Sequence, residues 1–349
     1  MARWKGWEKV RIRRENGAVL APGDPGYPAG LEAIAPIIIS ASRSTDIPAF
    51  YGDWFMDRLR NGYAAWINPF SGKIQYVSFS RARVFVFWSK NPRPFLPALE
   101  DLEAGTGHTL VLYTLNDYED EGLEPGVPPL DERIRTFAEL SSRIGTGRLT
   151  WRFDPILLSD TLTASRLLEK IQGVGDRVSR LTRQMVISFI DIGRYPRVRR
   201  NLAAAGYPGV REPTAGEIQA ISRGIAELNE DWGLAIHACG EDTDLSASGI
   251  GQGACISYET LVREFSGDRP LMGFLRPEED HRVRERELKD RGQRRWCNCV
   301  ASKDIGHYST CMHGCRYCYA NATPALVKRN YRQYCLNRDR GLFLPALVE

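Results

Sequence analysis

Residues 84–88 read VFVFW and residues 109–115 read TLVLYTL. Both are close to continuous apolar runs, whereas a strand with one wet face would alternate apolar and polar side chains. Such runs fit parallel strands covered on both sides. Comparable short runs lie at 35–40 (APIIIS), 75–79, 149–153, 185–190 (MVISFI) and 233–239. Apolar residues at helical spacing fill the intervals at 53–60, 94–102, 130–143 (LDERIRTFAELSSR), 164–171 and 216–228. Alternating strands and helices, with crossovers long enough to return the chain to the same edge, predict an α/β fold: a parallel-strand, partial TIM-barrel-like domain. Residues 1–33 read as an N-terminal arm or hairpin containing the loop PGDPG (22–26), residues 34–280 as the partial (β/α) barrel core, and residues 281–349 as a Cys-rich lobe laid over it.

The 349 residues are 43% apolar, enough for a sizeable core and too apolar for a disordered chain. No stretch approaches the 18 apolar residues of a membrane span, and no secretory signal pattern is present, so a cytoplasmic protein without membrane contact is expected. The formal charge of +4 is uneven, with 14 Lys or Arg against 6 Asp or Glu in residues 281–349. That basic end suits a nucleic acid or phosphorylated partner, an anionic cluster, or simply solvent. No GxGxxG follows a strand, the GxGxG of 249–253 has no GK[ST] after it, and GxSxG and HExxH are absent. These absences argue against common dinucleotide, hydrolase and zinc-peptidase chemistry.

Cysteine placement is the sharpest feature. None of the eight precedes Cys239, and six fall in the last 53 residues. In a reducing compartment such crowding reads as metal ligation before disulfides. The run Cys311–Met312–His313–Gly314–Cys315–Arg316–Tyr317–Cys318–Tyr319 spaces three thiolates so that they can wrap one side of a [4Fe–4S] cluster and leave its fourth iron open. Gly314 relieves the turn between ligands. His313 is placed to tune such a cluster, and Tyr317 and Tyr319 to pack beside it. Zinc is the alternative, with Cys297 and Cys299 pairing with two of the later thiols. Cys239, Cys255, Cys297 and Cys299 also make a full ligand set for an auxiliary [4Fe–4S] cluster, unless Cys239 and Cys255 are ordinary core residues. Cys335 reads as structural or incidental.

Chemistry in parallel barrels collects beyond the C-terminal strand ends. The polar residues there are Arg43 and Asp46, Lys90, Asn116, Arg152 and Asp154, and His237 and Glu241. Arg43, Lys90 and Arg152 suit a carboxylate or phosphate. Arg152 and Asp154, two apart in an extended segment, share a side and fit an internal ion pair equally well. His237 reads as a satisfied core imidazole in preference to a base.

The three-cysteine motif, with an aromatic before its last Cys, resembles the signature of the radical SAM superfamily. The whole chain also resembles the domain-of-unknown-function family 1848 through ISASRSTDIPAF (39–50), FWSKNP (87–92), WRFDPI (151–156) and the tail CNC…SKDIGHYSTCMHGCRYCYAN (297–321). The superfamily resemblance implies that Cys311, Cys315 and Cys318 hold a [4Fe–4S] cluster and that S-adenosylmethionine binds its fourth iron. Reductive cleavage would then give a 5′-deoxyadenosyl radical that abstracts hydrogen from substrate. It further implies a reductant such as ferredoxin or flavodoxin as partner, oxygen sensitivity, and cofactor contacts from Arg43, Asp46, Lys90, Asn116, Arg152, Asp154, Glu241, Tyr317 and Tyr319. In ordinary members the motif follows the first barrel strand. Here it follows the barrel, so the C-terminal lobe is expected to fold back over the same mouth. An electron-transfer or redox-sensing protein without SAM chemistry, and a zinc-stabilised nucleic-acid-binding protein, are the competing expectations.

Overall fold

A computed structural model describes residues 6–105 and 107–348. Eight strands form one wholly parallel sheet: β1 (Ile38–Ala41), β2 (Val84–Ser89), β3 (His108–Thr114), β4 (Leu149–Ile156), β5 (Gln184–Phe189), β6 (Ala235–Ala238), β7 (Gly251–Gln252) and β8 (Lys303–Asp304). Neighbours follow chain order from β1 to β7, and β8 returns to pair with β1. That is the order of a (β/α) barrel. Among the described residues β7 and β8 do not pair, so hydrogen bonds do not close the ring.

The continuous apolar runs follow from burial on both faces. Ile39, Phe85, Phe87, Val111, Tyr113, Met185 and Ile187 belong to the main outer core beneath the helices. The alternate residues Ile38, Val84, Val86, Leu110, Leu112 and Val186 form a second buried cluster on the inner face, which also contains Cys239, Cys255, Cys297 and Cys299. The outer layer is built by α1 (Gly52–Asn61), α2 (Leu96–Gly105), α3 (Leu130–Ile144), α4 (Ala164–Val178), α5 (Pro196–Ala204) and α6 (Ala215–Trp232). In α3 the buried Ile134, Phe137, Leu140 and Ile144 recur at helical spacing and face the sheet. Thr214 and Glu217 form a capping box that starts α6. Four further helices follow β7: α7 (Tyr258–Glu264), α8 (Arg269–Leu275), α9 (His281–Leu288) and, after the cysteine motif, α10 (Pro324–Arg338).

The N-terminal region is more than a hairpin. Glu8–Ile12, Val19–Leu20 and Leu31–Ala35 join Tyr63–Ile67 and Ile74–Ser78 in a separate five-stranded sheet. The run at 75–79 therefore belongs to this second sheet, not to the barrel. The run at 35–40 is two strands, ending one sheet at Ala35 and starting the other at Ile38, because Pro36 lacks a ladder donor. The C-terminal end straps the second sheet to α1: Ala65 N donates to Pro345 O (2.8 Å) and Trp54 Nε1 to Leu344 O (2.8 Å). No helix among the described residues is long and apolar enough to cross a membrane.

Candidate metal and cofactor site

The motif loop does fold back over the C-terminal ends of the strands. Asp46, in the loop after β1, accepts from Ser89 Oγ (2.7 Å), Lys90 N (2.7 Å) and Ala49 N (3.0 Å), and its Oδ2 lies 2.7 Å from His313 Nε2. One buried carboxylate thus ties the loops after β1 and β2 to the middle of the motif. Burial alone would raise its pKa, but the His313 interaction and the donated hydrogen bonds hold it below the usual carboxylate value. The other ring nitrogen of His313 faces Gly126 O at 3.1 Å.

A second polar knot sits beside the first. Lys90 Nζ and Asn116 Nδ2 donate to Glu124 Oε1 at 2.7 and 2.9 Å, and the Tyr317 hydroxyl donates to the same oxygen. Lys90 Nζ also reaches Tyr317 Oη at 3.1 Å. Burial opposes the Glu124 charge, yet Lys90 and Arg133 outweigh it and keep the carboxyl ionised below its ordinary range. Glu124 Oε2 is buried without a partner.

Backbone contacts complete the seat. Gly126 N donates to His313 O (2.8 Å), Arg316 N to Leu123 O (2.9 Å) and Tyr51 Oη to Thr310 O (2.7 Å). From α5, Asn201 Nδ2 donates to Cys318 O (2.8 Å) and Asn321 O (3.0 Å). A Cβ at Gly126 would lie 2.6 Å from His313 O, so only glycine permits this approach. Gly314 has φ +67°, as its place in the turn requires. Loops or helices after β1, β2, β3 and β5 therefore all hold the motif. Burial pushes the thiols of Cys311, Cys315 and Cys318 up, and Cys318 adds to the rise of the other two. Metal ligation would release those protons.

Within the mouth, Arg152 pairs with Asp154, which also accepts from Ser188 Oγ. The Arg152 and Arg43 guanidiniums lie 4.8 and 5.1 Å from the Trp88 ring centroid. Trp88 is fixed by its Nε1 donating to Ser40 Oγ at 2.7 Å. Arg43 donates to Ser302 Oγ (3.0 Å), and its carbonyl accepts from Tyr319 Oη (2.8 Å). Burial pushes Glu241 up to about 7, against a hydrogen bond from Phe189 N.

A second cysteine group lies on the inner face. The sulfurs of Cys239, Cys297 and Cys299 are all within 4.8 Å of one another, in buried positions, and can ligate a metal ion. Cys255 is buried beside them and interacts through its thiol with Cys239 and Cys299. Cys299 is held low by the thiols of Cys239, Cys255 and Cys297. Cys311, Cys315 and Cys318 do not draw together to the 4.8 Å spacing.

Residues 38–320 match the family described as Domain of unknown function (DUF1848). The match runs from the first residue of β1 through the whole motif. The chain belongs to the DUF1848 family. No curated protein matches it.

In this DUF1848 protein the residues picked out from sequence divide into two sets. Asp46, Lys90, Asn116 and Tyr317 engage the motif loop or the knot beneath it, whereas Arg43 and Arg152 lie against Trp88, Asp154 pairs with Arg152, Tyr319 donates to the Arg43 carbonyl and Glu241 accepts from Phe189 N. His237 lies part-buried in β6, where burial lowers its pKa. Cys335 packs against the core from α10. Glu124, Trp88 and Asn201 escaped notice. Glu124 lies in a long loop with no strand end to mark it, and Trp88 reads as part of an apolar run. Its place on the inner face, two residues after Val86, is the signal that identifies it.

Proposed function

We propose that this protein is a radical SAM-type enzyme, with Cys311, Cys315 and Cys318 holding a [4Fe–4S] cluster whose open iron takes S-adenosylmethionine. The observation that carries this reading is the seating of the three-thiol motif over the C-terminal mouth of a parallel sheet, by contacts from the segments after β1, β2, β3 and β5.

The donor set fits the group. The three motif thiols are part-buried on one short loop, while Cys239, Cys255, Cys297 and Cys299 engage one another, so a cluster on the motif would keep a fourth metal position for an external ligand. Two buried acceptors beside the motif, Glu124 Oε2 and Asn321 Oδ1, lack partners and suit an amino group or hydroxyl of the bound molecule. When bound, the cluster would supply one electron to the sulfonium of S-adenosylmethionine, breaking a C–S bond to give methionine and a carbon radical that takes hydrogen from substrate. The protein's part is placement and shielding. Trp88 gives a flat wall, and Arg152, whose buried Nε has no partner, offers a cation to a carboxylate or phosphate. The reductant belongs to the ferredoxin or flavodoxin class.

The test is the EPR spectrum of the anaerobically purified, reduced protein with and without S-adenosylmethionine, with iron measured on the same sample. A cluster signal that changes with the sulfonium compound is expected. An iron-loaded cluster indifferent to it would leave electron transfer or redox sensing as the function.

A further inference from the structure

We infer that Cys239, Cys255, Cys297 and Cys299 bind a single tetrahedral ion of the zinc class, and that this ion clasps the unpaired edge of the parallel sheet. The inference is independent of what the motif cysteines hold.

Sulfur spacing is the first ground. Metal–thiolate bonds of about 2.3 Å at tetrahedral angles place sulfurs roughly 3.8 Å apart. The sulfurs of Cys239, Cys297 and Cys299 all lie within 4.8 Å of one another, a range that includes that figure. A cubane gives each thiolate its own iron on a cage and spreads them further. The motif cysteines show the wider arrangement and this group the compact one.

The second ground is completeness. Cys255 is buried in the same cluster, outside the mutual 4.8 Å spacing of the other three, and its thiol interacts with Cys239 and Cys299, so it is the fourth donor that would close a structural site. The Ile256 amide donates to Cys299 Sγ at 3.5 Å, as amides around metal-bound thiolates do. Four thiolates on a dication carry two net negative charges, and three arginines face them. Arg43 senses Cys299 and Cys297, Arg152 senses Cys255 and Cys239, and Arg294 senses Cys239 while donating to its carbonyl at 3.0 Å.

Position supplies the role. Cys239 directly follows β6, Cys255 lies three residues beyond β7, and Cys297 and Cys299 precede β8. β7 and β8 are the neighbours that fail to pair. The one backbone bond joining their flanking segments here, Val300 N to Ile256 O at 2.9 Å, runs beside the thiols. A metal at this point joins by coordination what the sheet leaves unjoined.

The experiment measures zinc, iron and sulfide in the full chain, expressed with both metals available and purified anaerobically, together with zinc-edge X-ray absorption. About one zinc per chain with four sulfur neighbours is expected. The Cys311→Ala/Cys315→Ala/Cys318→Ala variant should keep that zinc, and Cys297→Ser/Cys299→Ser should lose it. Should the double variant fail to fold, Cys255→Ser alone should lose zinc to a competing chelator at a concentration at least tenfold lower than the wild type does. Removing zinc from the wild type should speed hydrogen exchange at residues 251–256 and 300–304. A wild-type chain with a second set of four irons and four sulfides and no zinc would overturn the inference. So would a chain in which these four thiols hold no metal, or zinc that disappears with the motif cysteines instead.

Discussion

Lys90 is the cation on which the mouth's buried charge depends. It neutralises Glu124, which is 8% exposed, and it reaches the hydroxyl of Tyr317 inside the motif. Replacing Lys90 with Met removes the hydrogen-bonded cation from Glu124 and leaves Arg133 as its remaining counter-charge, at a cost of about 3 kcal/mol. A lower urea midpoint and less iron retained on reconstitution are expected, and adding Glu124→Gln should recover part of the stability. If Lys90→Met matched the wild type in both readouts, the knot would have no part in seating the motif. Tyr317→Phe is milder, removing one hydroxyl for about 1–2 kcal/mol while keeping the ring. At this scale the turn at Gly314 was legible from local spacing, whereas spacing left Arg152 and Asp154 open between an anion site and the ion pair they form. Glu124 was not, since its partners come from residues 90, 116 and 317 and no local pattern announces them.

The short helix α8 shows how the opposite end of the parallel sheet is secured. Asp268 caps it by accepting from Leu271 N (2.9 Å), and the same carboxylate meets Arg83 (2.7 Å) and His108 (2.9 Å), which precede or begin β2 and β3. Its side chain is 1% exposed; burial would raise its pKa, but the Arg83 hydrogen bond, the helix amide and His108 bring it down. A carboxyl with a depressed folded-state pKa stabilises fully above its unfolded value and loses that contribution as pH falls through the folded one. Unfolding of the wild type should therefore become easier below the ordinary carboxylate range. Asp268→Asn should lower stability by about 2 kcal/mol near neutrality and flatten that acid limb; an unchanged pH profile would assign the limb to other groups. At the motif end, Asn201→Ala should release the Cys318 and Asn321 carbonyls, with faster hydrogen exchange confined to residues 318–322 and a stability loss of about 1–2 kcal/mol. The apolar runs at 84–88 and 109–115 foretold β2 and β3 because double-sided burial marks every residue. The second sheet escaped notice because its strands are part-exposed and pair across distant stretches, as Leu31–Ala35 does with Ile74–Ser78.

For the whole molecule, strand order is non-local, so a barrel-like ring could be expected from alternation but its unpaired edge could not be located. The C-terminal strap was equally hidden, resting on carbonyls of residues 343–345 that bind Arg58, Trp54 and Ala65. Ending the chain at residue 322 would strip α10 and this strap from Tyr51 and Trp54, each at most 1% exposed. A loss of several kcal/mol is expected from the apolar area uncovered, visible as a lower Tm and red-shifted tryptophan emission. Unchanged emission would mean that Trp54 is covered by other means. The order of the elements has a further consequence during synthesis. All metal-suited cysteines lie at or beyond residue 239, after six strands of the parallel sheet. As the chain leaves the ribosome, six strands of the sheet can collapse while no thiol has yet emerged, and the motif follows onto strand ends already made. A nascent chain that stalls before residue 239 carries neither cysteine group, so it offers no thiol on which a metal could be lost.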